Sequence, residues 1–298
     1  MSDIKVKPFL KWAGGKSQLL QQIEKHLPND IKGGVEFTYV EPFVGGGAML
    51  FYMLQKYSNM FTAAISDKNK DLINCYNVIK NSLSCLIENL ECLKEKYFKC
   101  LNLEQKKNSF LSFRERYNYS NLNPIERAAL FITLNHLCFN GLYRVNKKGL
   151  FNSPFGYYEN PLIYSKENLQ HIAKLLQKVE IFSGDFSQTL PYAGPDTLFY
   201  LDPPDRPLNK TSNFTGYTKD GFDDIEQTRL KRFCDKLNSN GSWFILSNSD
   251  SIEVTTNKRF FSELYGSYKL HKVLARRNIN SNGKKRDKIS EILICNYE

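Results

Sequence analysis

The feature that most constrains this chain is an apolar run that ends in an aspartate followed by two prolines. Thr197 to Leu201 has the apolar and aromatic character of a buried strand, and Asp202 closes it. Pro203 and Pro204 cannot continue a helix or a central strand, so the backbone must leave as a stiff loop. A carboxylate is therefore expected just past the carboxyl end of a strand, where open α/β sheets bind their ligands.

Length and charge narrow the class of protein. The 298 residues are enough for one large domain plus a smaller one, and the formal net charge is +10. An excess of cations suits a polyanionic partner such as nucleic acid, although a solvated basic surface gives the same count. No secretory or transit segment opens the sequence, and no apolar stretch approaches a membrane span. We therefore expect a cytoplasmic protein without membrane contact.

Cysteines and histidines show no spacing typical of a metal site or a disulfide framework. The seven cysteines are odd in number and include no C-x-x-C pair, which favours reduced thiols. The four histidines are scattered along the chain. No bound metal is predicted.

A strand, a glycine-rich turn and a helix follow one another near the amino terminus. They are predicted at Phe37–Glu41, Pro42–Gly47 and Ala48–Tyr57, which is the order that opens a nucleotide-binding βαβ unit. A second predicted strand ends at Asp67, 20 residues after Gly47. That spacing is typical of a carboxylate that binds ribose hydroxyls in such units.

A second glycine pair lies closer to the amino terminus. Gly14 and Gly15 precede Lys16 and a predicted helix over Ser17–His26. The glycines would let the backbone approach a ligand, and the lysine is available to an anionic group. A simple turn explains the same residues.

The middle of the chain changes character. Residues 71 to about 105 predict helices, and another helix is predicted over Glu126–Cys138. Basic, amide and aromatic side chains then alternate over Phe139–Gly149, with glycines that suit a hairpin. Such a segment suits base edges and phosphates, and it equally suits a plain surface hairpin.

After this insert, strands and helices alternate again. They are predicted at residues 169–177 (helix), 179–182 (strand), 197–201 (strand), 222–237 (helix), 242–248 (strand) and 289–297 (a last, antiparallel strand). This alternation predicts an α/β fold with a twisted, mostly parallel sheet and helices on both faces. A cation-rich loop precedes the last strand and could contact phosphates; its cations are Arg276, Arg277, Lys284, Lys285, Arg286 and Lys288.

Four segments, in this order, resemble the Dam family of DNA adenine-N6 methyltransferases of the α group. They are Phe9–Lys16, Glu41–Gly47, Asn140–Asn146 and Asp202–Pro204. The likeness extends from Lys7 to the carboxyl terminus and is greatest to GATC-modifying members, including those of restriction–modification systems. It implies a Rossmann-like class I methyltransferase sheet with a mainly helical DNA-recognition insert. Residues 1–72 and 168–298 would form the catalytic domain, and 73–167 the insert with its hairpin.

The resemblance also implies a cofactor, a substrate and a set of site residues. S-adenosylmethionine would be bound by Trp12, Lys16, Glu41, Gly45, Gly47, Asp67, Asp185 and Asp202. Double-stranded DNA would be contacted by Lys11, Phe139, Asn140, Arg144 and Pro154. In this scheme Lys11 and Arg144 read guanines, and the ring of Phe139 is a wedge in the duplex. The family's usual form is a monomer, and a cognate restriction endonuclease is the partner expected in a restriction–modification system.

The catalytic group implied by the resemblance is Asp202, Pro203, Pro204 and Asp205. A flipped adenine would donate its N6 protons to the Asp202 carboxylate and the Pro203 carbonyl, which aligns the amine for methyl transfer. The family carries an aromatic residue where this sequence has Asp205, and such a ring stacks on the base with about 1–3 kcal/mol. Asp205 adds a second carboxylate instead. We therefore expect weakened or absent methylation with cofactor and DNA binding kept.

Three alternatives remain open at this point. A neighbouring ring, Tyr217 or Phe214, would restore the stacking on the base. A protein that occupies its DNA site without modifying it would explain Asp205 directly. Amino-methylation of RNA or protein also uses Pro-Pro-aromatic motifs, although the segment Phe139–Phe155 argues for DNA.

Overall fold

The computed structural model describes residues 5–12, 14–205, 222–250, 257–275 and 289–298. Tyr217, Phe214 and the cation-rich loop lie outside the described residues. Seven strands form a single sheet: β1 (Phe37–Glu41), β2 (Met60–Asp67), β3 (Val179–Ser183), β4 (Thr197–Leu201), β5 (Trp243–Asp250), β6 (Lys269–Ala275) and β7 (Ile289–Cys295).

The strand order confirms the predicted Rossmann-like sheet. The strands lie in the order β3-β2-β1-β4-β5-β7-β6, with the first five parallel. As predicted, β7 is antiparallel, and it pairs with β5 on one side and β6 on the other. The order reverses between β1 and β4, and open sheets of this kind bind ligands in the crevice at such a point. The carboxyl ends of β1, β2 and β4 meet at this crevice.

Helices cover both faces of the sheet and form the insert between β2 and β3. They are α1 (Leu20–Lys25), α2 (Asn29–Lys32), α3 (Ala48–Lys56), α4 (Lys70–Asn81), α5 (Leu83–Phe98), α6 (Leu103–Tyr119), α7 (Pro124–Leu137), α8 (Lys166–Leu175), α9 (Asp224–Ser239) and α10 (Asn257–Leu264). In the described part of the chain, none of these helices has the length and apolar character needed to cross a bilayer.

Two apolar clusters hold the layers together. The larger includes Leu50 of α3, Leu72 of α4, Leu130 of α7 and Ile172 of α8, so the insert helices share a core with the sheet. The smaller cluster lies on the other face and includes Phe233 of α9. The insert is thus fixed to the sheet by continuous apolar contact.

Some element boundaries differ from those expected. The first helix begins at Leu20 rather than Ser17, because residues 17–19 form a turn. Strand β6 was not predicted from the sequence. It lies at the edge of the sheet, where the lysines at Lys269 and Lys272 disguise the apolar alternation of a strand and protect the edge from pairing.

The glycine-rich turn between β1 and α3 is fixed by contacts with helix α4. The hydroxyl of Tyr76, on α4, donates to the Gly45 carbonyl at 3.0 Å. Gly47 has φ of +75°, and a Cβ there would lie 2.5 Å from the Tyr76 hydroxyl oxygen. Both the backbone angle and the close contact therefore require glycine at position 47.

We predict that Gly47→Ala lowers the free energy of unfolding by about 2 kcal/mol or more, because the left-handed angle and the contact with Tyr76 are both strained. Chemical denaturation of the purified variant measures this. Gly194→Ala is the matched control, since a Cβ at Gly194 meets nothing within 4 Å. Equal stability of the two variants would contradict this explanation of the turn.

Candidate active site

A pocket of about 460 Å³ opens at the carboxyl edge of the sheet. Nearly all of the residues assigned to cofactor binding or catalysis line it: Trp12, Lys16, Glu41, Gly45, Gly47, Asp67, Asp202, Pro203, Pro204 and Asp205. The volume lies within the usual range for sites that bind a small molecule or cofactor. The fold therefore brings together motifs that are separated by up to 190 residues in the sequence, from position 12 to position 202.

Asp202 projects into the pocket because β4 ends at Leu201 and the prolines direct the chain away from the sheet. The buried ammonium of Lys16 lies 3.3 Å from its Oδ1 atom. The same ammonium lies 3.1 Å from Oε2 of Glu291, on β7. One buried cation is thus shared by two carboxylates.

Burial dominates the electrostatics of this cluster. It raises the pKa of Asp202 to about 7, with the charge of Lys16 opposing the rise and those of Glu291 and Asp205 adding to it. Burial alone would lower the pKa of Lys16, but the three carboxylates outweigh it and the pKa is raised. Lys16 is therefore charged at every physiological pH, while Asp202 gains its charge near neutrality.

Asp67 connects the tip of β2 to the glycine-rich turn. Its Oδ2 atom accepts from the amide of Gly45 at 3.2 Å, and its Oδ1 atom accepts from the amide of Asn69 at 2.9 Å. Burial raises the pKa of Asp67 to about 6, although both hydrogen bonds oppose this. A carboxylate fixed at this strand tip suits the hydroxyls of a ribose.

Glu41 is the buried acid at the end of β1. Its Oε2 atom accepts from the hydroxyl of Tyr39 at 2.8 Å. Burial raises its pKa well above the ordinary value, and the charge of Asp202 adds to the effect. Glu41 therefore lines the same cavity as Asp202, but its raised pKa favours the neutral acid.

Trp12 joins the pocket to the insert. Its ring stacks on Tyr143 at 5.8 Å between centroids and on Phe131 at 6.4 Å. A Cβ on Gly45 would lie 2.9 Å from the indole, so the glycine makes room for this ring. The assignment of Gly45 to a ligand-binding turn thus has a packing reason as well.

Asp185 is placed differently from the other acids. Gly184 and Phe186 line the pocket, but Asp185 does not. Its two carboxylate oxygens accept from the guanidinium of Arg229 at 2.7 Å each, and this pairing lowers the pKa of Asp185 well below its ordinary value. Arg229 also lies 4.1 Å over the ring of Phe186. Asp185 therefore fixes the pocket wall through Arg229.

The residues assigned to DNA binding gather on a neighbouring surface. Lys11 is held through its backbone by the buried side chain of Asn135, which accepts from its amide at 2.8 Å and donates to its carbonyl at 2.9 Å. Asn135 also donates to the carbonyl of Gly141 at 2.9 Å. The ammonium of Lys11 lies 4.7 Å over the ring of Tyr158, whose hydroxyl accepts from the Asn140 amide at 3.0 Å.

The segment after α7 folds back on itself. The amide of Phe139 donates to the carbonyl of Pro154 at 2.9 Å, and both side chains are exposed. Isolated bridges join Cys138 to Phe155 and Val145 to Phe151. The predicted hairpin thus consists of single bridges and a tight turn at residues 146–149 rather than paired strands.

Arg144 points its guanidinium along this segment. It donates from Nε to Oδ1 of Asn152 at 3.0 Å and from a terminal nitrogen to the Asn152 carbonyl at 3.2 Å. The arginine is therefore held in one orientation while most of its five donors stay available. Together with Lys11, Phe139, Asn140 and Pro154, it forms what we call the recognition surface.

Three residues of the site were not identified from the sequence: Glu291, Asn135 and Tyr158. An acid inside the otherwise apolar run of β7 was the one available signal for Glu291. For Asn135 the similar signal was a polar side chain inside the apolar helix α7. Tyr158 lies among several aromatic residues, and nothing in the sequence distinguishes it from them.

The chemistry of the pocket lining restricts what it can bind. Aromatic rings lie at one side, with Phe43 and Phe186 5.4 Å apart and Phe222 packed on both. Carboxylates that can accept from hydroxyls or amines lie at the strand tips, and among the described lining residues the four acids outnumber the two lysines, Lys16 and Lys68. These features suit a ligand with a flat base, hydroxyls and a positive charge.

Comparison with known proteins identifies relatives over the full length of the chain. The family model described as D12 class N6 adenine-specific DNA methyltransferase matches residues 12–279. The type II methyltransferase M.MjaIII of Methanocaldococcus jannaschii is 48% identical over 297 residues, which is 99% of this chain and 100% of that protein.

Two bacterial proteins are similar at lower identity. The type II methyltransferase M1.LlaDCHI of Lactococcus lactis is 36% identical over 301 residues, covering 99% of this chain and 97% of that protein. The DNA adenine methylase of Escherichia coli K12 is 35% identical over 289 residues, covering 97% and 95%.

Proposed function

The chain belongs to the D12 class of N6 adenine-specific DNA methyltransferases, and from that membership we propose that it methylates adenine N6 in duplex DNA at GATC, using S-adenosylmethionine. The observation that carries this proposal is the position of Asp202. Its carboxylate ends the central strand β4 inside the pocket and is followed by two prolines. The GATC site rests on the resemblance of the recognition segment to that of GATC-modifying members of the family.

The pocket fits S-adenosylmethionine by the chemistry of its lining. The rings of Phe43 and Phe186 suit the adenine base, and the Asp67 carboxylate suits the ribose hydroxyls. Trp12, Lys16, Glu41, Gly45 and Gly47 complete the proposed binding set. For Asp185 we propose an indirect role, because it fixes the wall of the pocket without lining it.

When bound, S-adenosylmethionine would supply a methyl group from its sulfonium sulfur to the N6 nitrogen, and the proton lost from N6 would pass to water. The chain's own residues bind and orient the amine. We propose that the Asp202 carboxylate and the Pro203 carbonyl accept hydrogen bonds from N6, which brings its lone pair into line for attack. Adenine N6 is inaccessible inside a duplex, so the base must be flipped into the pocket.

The protonation state of Asp202 controls this hydrogen bond. Its pKa of about 7 means that the acceptor form grows as the pH rises through neutrality. A neutral Asp202 would accept from N6 less well. Lys16 remains charged throughout and holds the Asp202 oxygen at 3.3 Å. The ammonium of Lys16 thus orients the Asp202 carboxylate and leaves it able to accept a hydrogen bond from N6.

Recognition of the DNA sequence is proposed for the recognition surface. Lys11 and Arg144 donate to guanine O6 and N7, Phe139 enters the duplex as a wedge, and Asn140 and Pro154 contact bases beside it. Two hydrogen-bonded contacts support this role. Asn135 binds the backbone of Lys11, and Asn152 binds the side chain of Arg144. Both cations are restrained before DNA arrives.

Asp205 is proposed to weaken the reaction. It lies exposed at the pocket lining, where the family carries an aromatic side chain. Among the described lining residues, Phe43, Phe186 and Phe222 pack on one another. Asp205 also raises the pKa of Asp202, after burial and the charge of Glu291. Both effects act on the target base rather than on the cofactor.

The biological setting follows from the relatives. Because two of them are named type II methyltransferases, we propose that this chain protects DNA from a cognate restriction endonuclease. The proposal that it acts as a monomer rests on the usual form of the family it resembles. Residues 73–167 are proposed as the target-recognition insert of the catalytic domain formed by 1–72 and 168–298.

We predict that Asp205→Tyr transfers labelled methyl groups to a GATC duplex about 5- to 150-fold faster than the unsubstituted chain, because stacking on the base contributes about 1–3 kcal/mol. Single-turnover transfer, with the product nucleoside identified as N6-methyladenine, measures this. Asp205→Asn is the matched control. It removes the charge without adding a ring, so it separates the electrostatic effect from the stacking effect.

Equal and robust transfer by the natural chain and Asp205→Tyr would show that Asp205 does not impair the pocket. Transfer to another base, or to RNA in preference to duplex DNA, would overturn the proposed substrate. A chain that binds GATC but methylates nothing, even with Tyr at position 205, would support a DNA-binding role without catalysis.

We predict that Lys11→Met and Arg144→Gln each reduce discrimination between GATC and duplexes altered at one guanine, by about 1–3 kcal/mol. Fluorescence anisotropy of labelled duplexes measures this without requiring catalysis. Lys148→Gln, which removes an exposed cation from the turn beside Arg144, is the control. It should weaken binding to all duplexes alike, and the same uniform loss for Lys11 and Arg144 would assign them to the phosphates instead.

A further inference from the structure

The last strand in the sequence brings an acid to the active site. Because β7 is antiparallel to β5, its amino-terminal end lies at the edge where the parallel strands end. Glu291 pairs with Ser249 in this register, beyond the level of Leu201, which is aligned with Leu246. Its side chain, 13% exposed, reaches Lys16 without lining the pocket.

The stability of the folded protein is a weak reason for placing Glu291 beside Lys16. Removing charges from water is costly, and replacing buried ion pairs by apolar side chains is often neutral or stabilising. The positions that follow Glu291 in β7, Ile292 to Cys295, are all apolar and buried. Apart from Lys16, Glu291 has a contact with the Ser247 hydroxyl at 3.4 Å, which is long for a hydrogen bond.

The charges of the cluster do not cancel. One ammonium lies 3.3 Å from the Asp202 carboxylate and 3.1 Å from the Glu291 carboxylate. With both acids ionised, the trio carries one net negative charge in a largely buried place. Without Glu291, Lys16 would neutralise Asp202 alone, and its ammonium would be free to move fully onto that carboxylate.

We infer that Glu291 is a positioning residue that holds back the Lys16 ammonium, so that the site keeps one net negative charge for the positively charged sulfur of S-adenosylmethionine. This inference rests on the proposed function. Once the methyl group has left, the cofactor is uncharged at sulfur and loses this attraction, so the site favours the substrate form over the product form.

Binding of three ligands by isothermal titration calorimetry tests this without any reaction. S-adenosylmethionine carries a sulfonium, sinefungin carries an ammonium at the equivalent place, and S-adenosylhomocysteine is neutral there. The natural chain is expected to bind both cationic ligands more tightly than the neutral one. Glu291→Gln is expected to weaken both cationic ligands about tenfold and to change the neutral ligand by less than about twofold.

Two further variants separate charge from packing. Glu291→Asp keeps the charge and should keep the preference for cationic ligands. Glu298→Gln removes one negative charge from the exposed end of the same chain segment, and it should leave all three affinities unchanged. Together they show whether the effect belongs to the charge at position 291.

Equal weakening of all three ligands by Glu291→Gln would assign Glu291 to packing and overturn the inference. Should that variant fail to fold, the natural chain still decides, because equal affinity for sinefungin and S-adenosylhomocysteine leaves no charge preference for Glu291 to supply. If the natural chain binds none of the three, the cofactor proposal fails, which is a different result.

Discussion

The site depends on one buried ammonium shared by two carboxylates. Lys16 lies between Asp202 and Glu291, and these three residues come from the amino-terminal loop, the central strand and the last strand. A buried cation of this kind persists only with partners of opposite charge. The prolines after Asp202 and the antiparallel course of β7 are therefore as necessary to the site as the charged residues themselves. Burial raises the pKa of Asp202 to about 7 although Lys16 opposes the rise, which places the ionisation of the proposed acceptor within the physiological range.

The pocket and the recognition surface are parts of one packed unit. Trp12 stacks on Tyr143 of the insert, while Gly45 leaves space for the indole. One residue earlier, Lys11 is held by the side chain of Asn135, which also holds Gly141. The residues proposed to read bases and to bind the cofactor, Lys11 and Trp12, are thus neighbours in sequence, and both contact the same helix, α7. This arrangement would let a short amino-terminal loop serve both proposed tasks.

The sequence predicted most of the sheet because its strands are apolar runs with acids or glycines at their ends. Asp67 and Asp202 were recognised for this reason, and the glycine-rich turn marked the crevice between them. Contacts between side chains far apart in the chain could not be predicted from the sequence. Nothing local shows that Glu291 reaches Lys16, or that Asp185 turns from the pocket to Arg229, since each contact joins segments far apart in the chain. The edge strand β6 was missed because its lysines interrupt the apolar pattern.

Asp202 is a partly buried carboxylate whose ionisation is set first by its removal from water and then by the opposing charges of Lys16 and Glu291. Its titration can be followed by carbon-13 NMR of the ligand-free protein, with the signal assigned by its loss in Asp202→Asn. We expect a midpoint at about pH 7, because burial raises the pKa of this carboxyl from its ordinary 3.8. We also expect the midpoint to fall in Glu291→Gln, since the charge of Glu291 contributes to the rise. A midpoint near 4, unchanged by that substitution, would contradict the claim.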